Sequence, residues 1–241
     1  MFKIFFSKGV FYHYLIAPSL NETRGLVLFA CAAVFTMIAA YLLGSLNFAI
    51  IISGKQYRQD IRTHGSKNAG TTNMMRTYGK KAAGLTLLGD LLKAVVACLI
   101  GYALIGQLGA YVAGLFCMIG HMFPIYYGFK GGKGVATAAA TILMCNPIVF
   151  TILFVIFVLL VLMSKYLSLG SIMCMLLYPL VLNFIDTLLF GGCQYVIFAV
   201  LMAVLVVMKH WENIKRLSKG KENKFSFKKS VKPDSVDPDQ K

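Results

Sequence analysis

Long apolar runs dominate the chain, near positions 26–54, 82–106, 108–127, 147–163, 168–189 and 194–208. Each approaches or exceeds the roughly 17–25 residues needed to cross a hydrocarbon core about 30 Å thick. A further segment, Val135 to Cys145, is too short to cross unless it sits tilted or partly inside the bundle. The pattern predicts six spans plus one short helix, with polar islands between them.

Composition agrees with that pattern. The 241 residues are 58% hydrophobic and 14% charged, with a mean hydropathy of +0.72, more apolar than a water-soluble domain can be. A net charge of +15 would suggest a nucleic-acid partner in a soluble protein, so the placement of the cations decides the matter. Seven of the 24 Lys and Arg lie between Lys55 and Lys81, ten follow Val207, and Lys130, Lys133 and Lys165 sit in short gaps between spans. If Val135–Cys145 counts as a seventh helix turning back at Pro147, all of these fall on one side, which the positive-inside rule makes cytoplasmic. The expected fold is therefore all-α: a polytopic bundle of about seven transmembrane helices, one short, with the amino terminus outside and the carboxyl terminus cytoplasmic. Lys3, Lys8 and Arg24 oppose this orientation weakly.

Residues 1–25 are expected to form an interfacial extension. The stretch from Met1 to Glu22 lacks a small-residue cleavage site and is broken by His13, Pro18 and Asn21, which favours an interfacial helix over a signal peptide. The membrane domain is expected over 26–225 and a basic disordered tail over 226–241. The polar run that leads into that tail begins at Lys221. Six dispersed cysteines without C-x-x-C spacing, and four dispersed histidines, suggest neither a zinc site nor a disulfide framework. No internal repeat of the kind many transporters carry is visible.

Three polar islands fall on the predicted cytoplasmic face. The first runs from His64 through Ser66, Asn68, Thr72 and Asn73 to Arg76. Hydroxyls and amides beside glycines can converge on an anion, and Arg76 adds a planar fork suited to phosphate. A plain turn uses the same residue types. The second contains Gly120-His121 and then Lys130-Gly131-Gly132-Lys133-Gly134 just ahead of the short helix. Loop amides and a helix N-terminus there could hold a phosphate; a tight turn with snorkelling lysines is the bland alternative. It is not a nucleotide P-loop, because Tyr127 and Gly134 stand where that pattern needs Gly and Ser or Thr. The third island holds His210, Asn213, Arg216 and Glu222; His210 and Asn213 are three apart and share a helix face. Asp90 and Lys93, also three apart inside a span, either pair with each other or serve chemistry.

Taken together, Ser66-Lys67-Asn68-Ala69-Gly70-Thr71-Thr72-Asn73 through Arg76, Gly120-His121 with Phe129 through Thr137, and His210 with Asn213-Ile214 and Arg216-Leu217 resemble the three motifs of the PlsY family. These are bacterial glycerol-3-phosphate acyltransferases with acyl phosphate as donor. The resemblance covers roughly residues 26–225 and implies a seven-helix enzyme of the cell (inner) membrane with its active site facing the cytoplasm. It implicates Ser66, Arg76, Lys133, His210 and Asn213 in catalysis. Asn68, Thr72, Asn73, Gly131, Gly132 and Gly134 are implicated in substrate binding, with Ser168 or Ser171, between which spacing does not choose. The implied partners are acyl phosphate, glycerol 3-phosphate and membrane lipid, with no nucleic acid, metal or cofactor; the oligomeric state stays open. No island holds a thiol and no His-x4-Asp pair occurs, so direct attack of the glycerol hydroxyl is expected, with the leaving phosphate or His210 as proton acceptor. A carrier for a phosphorylated solute is the rival reading; it should spread its polar residues to the midplane and both faces.

Overall fold

The computed structural model describes residues 22–225, and among these every regular element is helical. The α-helices are α1 (Glu22–Ser45), α2 (Phe48–Tyr57), α3 (Thr71–Tyr78), α4 (Lys80–Met122), α5 (Val135–Cys145), α6 (Pro147–Ser164), α7 (Leu167–Phe190), α8 (Val196–Lys209) and α9 (Trp211–Ser218). The expected interfacial segment before Glu22 and the tail after Phe225 lie outside the described residues.

Among the described residues, four stretches are long and apolar enough to cross a membrane unaided: Gly25–Tyr57, Lys80–Tyr127, α6 and α7. Helices α8 and α9, bent by 61° at His210, qualify as a pair. The second stretch is not one straight rod. Ile105 and Gly106 have non-helical backbone angles, and a Cβ placed on Gly101 would fall 2.1 Å from the Gly109 carbonyl oxygen and 2.8 Å from Ala113 Cβ. Eight residues along a straight helix are about 12 Å apart, so the two halves of α4 fold back on each other. This matches the two separate apolar runs at 82–106 and 108–127. The run at 26–54 is instead interrupted: α1 ends at Ser45, and buried Asn47 caps α2 by accepting from the Ile50 N–H at 3.2 Å. A polar amide inside an apolar run is what breaks it.

The turns gather at two ends. At one, Gln107 donates to the Cys145 carbonyl (2.8 Å), Asn146 donates to Asp186 (2.8 Å), and Tyr111 stacks on Tyr195. Pro147 opens α6 in its first turn, with Asn146 as cap, because proline lacks only an N–H that would be orphaned there anyway. At the other end lie the loop before α3, the loop between α4 and α5, the α6–α7 turn and α9. The helices pack through small residues: Cβ atoms on Gly44 and Gly120 would lie 2.1 Å and 2.2 Å from carbonyl oxygens of the facing helix. Such close approach is how helices associate in lipid. Large apolar side chains such as Leu26, Met163, Leu180 and Leu188 point outward, the arrangement expected where the solvent is hydrocarbon.

Candidate active site

The loop before α3 is organised by one side chain. Asn73 is fully buried; its carbonyl accepts from the Ser66 N–H (2.9 Å) and its amide donates to the carbonyls of Ile61, His64 and Asn68 (3.2, 2.9 and 3.1 Å). Asn73 therefore holds the loop through its buried amide, a structural part beside the substrate-binding one expected of it. Ser66, Asn68 and Thr72 have side chains that make no hydrogen bond to the chain among the described residues, and so remain available to a ligand. Arg76, one turn further along α3, is half-buried. Burial and the like charge of Arg216 lower its pKa, while the Glu222 carboxylate opposes them.

The loop between α4 and α5 is held from both sides. Arg62, paired with Asp60 at 2.7 Å, donates to the carbonyls of Tyr127 (2.7 Å) and Lys130 (3.1 Å). The Gly131 and Gly132 amides donate to the carbonyls of Met122 (3.2 Å) and His121 (3.1 Å). Those two amides are thus engaged within the loop. Their glycine identity is steric: a Cβ on Gly131 would meet the His121 carbonyl at 2.1 Å, and one on Gly132 would meet His121 Nε2 at 2.2 Å. Gly134, at φ +78°, turns the chain into α5. Gly134, Val135 and Ala136 donate to no backbone carbonyl, so the first turn of α5 presents free N–H groups.

Lys133 projects from this loop to Asn213 of α9, donating to its side-chain oxygen. Asn213 in turn donates to Glu222 Oε1 at 2.7 Å; Ser168 donates to the same oxygen at 3.0 Å, and Arg216 pairs with Oε2 at 2.8 Å. Lys133 is pushed down to about 8 by burial first, then by Arg216, with Glu222 opposing and Arg76 adding to the repulsion. Three cations, Arg76, Lys133 and Arg216, thus surround one carboxylate in a half-buried site. His210 Nδ1 lies 2.8 Å from the Val206 carbonyl. A carbonyl can only accept, so the ring proton is assigned to Nδ1 and the Nε2 lone pair is left free.

Residues 34–220 match the family model described as Glycerol-3-phosphate acyltransferase. The chain belongs to the glycerol-3-phosphate acyltransferase family. Relatives of that name include proteins of Finegoldia magna, 42% identical over 78% of this chain and 93% of that one, and of Syntrophomonas wolfei, 45% identical over 80% and 96%. Crystal structures of PlsY (YgiH), an integral membrane glycerol 3-phosphate acyltransferase, are also similar. Its glycerol 3-phosphate form gives a TM-score of 0.73 at 35% identity, covering 80% of this chain and 96% of that one. Its lysophosphatidic acid form gives 0.71 at 34%, covering 81% and 96%. The chain is accordingly an integral membrane helical bundle of this family.

Among the residues expected at the site, the structure joins Arg76, Lys133, Ser168, His210 and Asn213. It separates Ser168 from Ser171, whose hydroxyl donates back to the Leu167 carbonyl at 2.8 Å on its own helix. Reading the site from sequence placed Glu222 in the third island but gave it no part in the site. The run from Lys221 looked like the start of a disordered tail, yet Glu222 binds three site residues and Phe225 N–H donates to the Lys165 carbonyl at 2.7 Å. A lone acid within a lysine-rich stretch was the available signal. Asp90 and Lys93 do pair, at 2.8 Å. Among the described residues no group of three or more His, Cys, Asp or Glu is placed to hold a metal ion.

Proposed function

We propose that this chain transfers a fatty acyl group from acyl phosphate to the 1-hydroxyl of glycerol 3-phosphate, giving lysophosphatidic acid and phosphate. The observation that carries the reading is the surplus of positive charge around Glu222, where Arg76, Lys133 and Arg216 outnumber one carboxylate. A partly desolvated cationic surplus suits a phosphate, and both substrates bear one. The glycerol oxygen attacks the acyl carbonyl carbon, the bond from that carbon to the phosphate oxygen breaks, and the hydroxyl proton passes to the departing phosphate or to His210 Nε2. Lys133, Arg76 and the free amides opening α5 stabilise the charge that develops. Ser66, Asn68 and Thr72 are positioned to hydrogen-bond a substrate beside Arg76, and Ser168 and Asn213 hold the carboxylate and the ammonium in place.

In this reading the chain spans the cell membrane seven times, with the short α5 as one pass, the amino terminus outside and the site facing the cytoplasm. The clustering of cations at the end that carries Arg76, Lys133 and Arg216 supports that orientation. The test is purified protein with glycerol 3-phosphate and either palmitoyl phosphate or palmitoyl-CoA. Product from the phosphate donor is expected; product from the CoA donor alone would overturn the donor assignment. Turnover is expected to survive EDTA.

A further inference from the structure

Beneath the glycine loop lies a buried charged cluster to which the reaction as described gives no part. Lys93 Nζ reaches Asp90 Oδ1 at 2.8 Å, His121 Nδ1 at 2.9 Å, and the Gly44 and Leu46 carbonyls at 3.0 and 2.8 Å. All three side chains are buried. The ammonium's three protons are shared among four neighbours; because an N–H on Nδ1 would face an N–H of the ammonium at 2.9 Å, Nδ1 is assigned as an acceptor and the ring proton to Nε2. Asp90 Oδ1, 3.4 Å from the same Nδ1, neutralises Lys93 and thereby makes the buried ammonium tolerable.

This clamp fixes the ring from one side; the other side of the ring supports the loop. His121 Nε2 lies where a Cβ on Gly132 would collide at 2.2 Å, and the His121 carbonyl accepts the Gly132 N–H. The next carbonyl, of Met122, accepts from Gly131. The backbone that carries Lys133 is therefore seated on the residue that Lys93 and Asp90 hold. Lys93 also draws in the carbonyls at the end of α1, so a single buried cation joins that helix end, both arms of α4 and, through His121, the loop.

We propose that His121, clamped by Lys93 and Asp90, is a positioning residue that sets the Gly131–Lys133 loop and so aims the Lys133 ammonium. The kinetic part of this inference rests on the acyl-transfer reading above. A structural stitch would serve stability alone and act independently of Lys133. A positioning residue acts through Lys133 and loses its effect once that ammonium is gone.

Wild type, His121→Ala, Lys133→Ala and the double variant are compared in acyl transfer, with melting temperatures measured alongside. His121→Ala is expected to lower kcat/KM at least about tenfold, and the double variant to fall no more than about threefold below Lys133→Ala, the non-additivity of coupled groups. His121→Asn, whose side-chain oxygen can accept from Lys93 in place of Nδ1, is expected to recover at least about threefold over His121→Ala. Where His121→Ala yields no folded protein, His121→Gln takes its place in the cycle. Losses that multiply in the double variant, or a His121→Ala enzyme within about threefold of wild type, overturn the proposal. A readout independent of turnover is hydrogen exchange at the Gly131 and Gly132 amides. Exchange should quicken in His121→Ala while α7 stays unchanged; unaltered loop exchange overturns the proposal even in a preparation with no activity.

Discussion

At the scale of the residue, two lysines three positions apart illustrate how burial assigns a role. Lys130 is exposed, whereas Lys133 donates to Asn213 inside a cationic cluster. Lys133→Ala should remove a charge-assisted contact worth about 1.5–3 kcal/mol and cost at least about tenfold in kcat/KM. Lys130→Ala should cost less, as steady-state kinetics on both variants would show; equal and mild losses would dismiss the loop as an anion site. The lysine's titration supplies a second check. With its pKa lowered to about 8, Lys133 is charged below that pH and neutral above it, so kcat/KM should fall as pH rises through about 8. A bound phosphate favours the charged form, so the limb in kcat should lie higher. Lys133→Arg should abolish the limb, because guanidinium does not titrate in this range.

At the scale of the element, the two loops of the site are held by interactions made away from any substrate. Asn73 spends its whole amide on the loop before α3, and leaving those carbonyls unpaired costs about 1–3 kcal/mol apiece. Asn73→Ala should therefore lower the melting temperature as well as activity, whereas Asn68→Ala should lower activity alone. In the second loop, a methyl on Gly132 would meet His121 Nε2 at 2.2 Å and the Ala69 carbonyl at 2.6 Å, whereas one on Gly84 meets nothing within 4 Å. Gly132→Ala should lose at least about tenfold in kcat/KM and Gly84→Ala should stay near wild type, since open positions tolerate substitution. Little of this division was readable from residue types. Asn73, Ser66 and Thr72 are equally plausible ligands in a string of polar letters, and only the geometry shows which one has spent its hydrogen bonds. The boundaries of α5 were readable, because Gly134 and Pro147 bracket an apolar stretch too short to be anything else.

At the scale of the molecule, Glu222 closes the site by joining α7, α9 and the segment after it. Its charge also raises the Lys133 pKa against burial. Glu222→Gln should therefore shift the alkaline limb of kcat/KM to lower pH, and a pH profile with an unmoved limb would count against the electrostatic coupling. Truncation after Phe225 should leave turnover near wild type, because the contacts of Glu222 and Phe225 survive it. The sequence by itself determined that the chain lives in a bilayer, that its cations collect at one end, that the apolar stretch from 82 to 127 is two spans, and which short motifs are the candidates for the chemistry. These are properties of composition, run length and local spacing, which survive without a fold. Only the tertiary structure decided that Ser168 rather than Ser171 meets the site, and that Glu222 makes its contacts there. It alone seated the glycine loop on a buried Lys93–Asp90–His121 cluster. The physical reason is common to all three: each depends on which hydrogen bonds and charges residues distant in sequence satisfy for one another, and spacing along the chain does not record that.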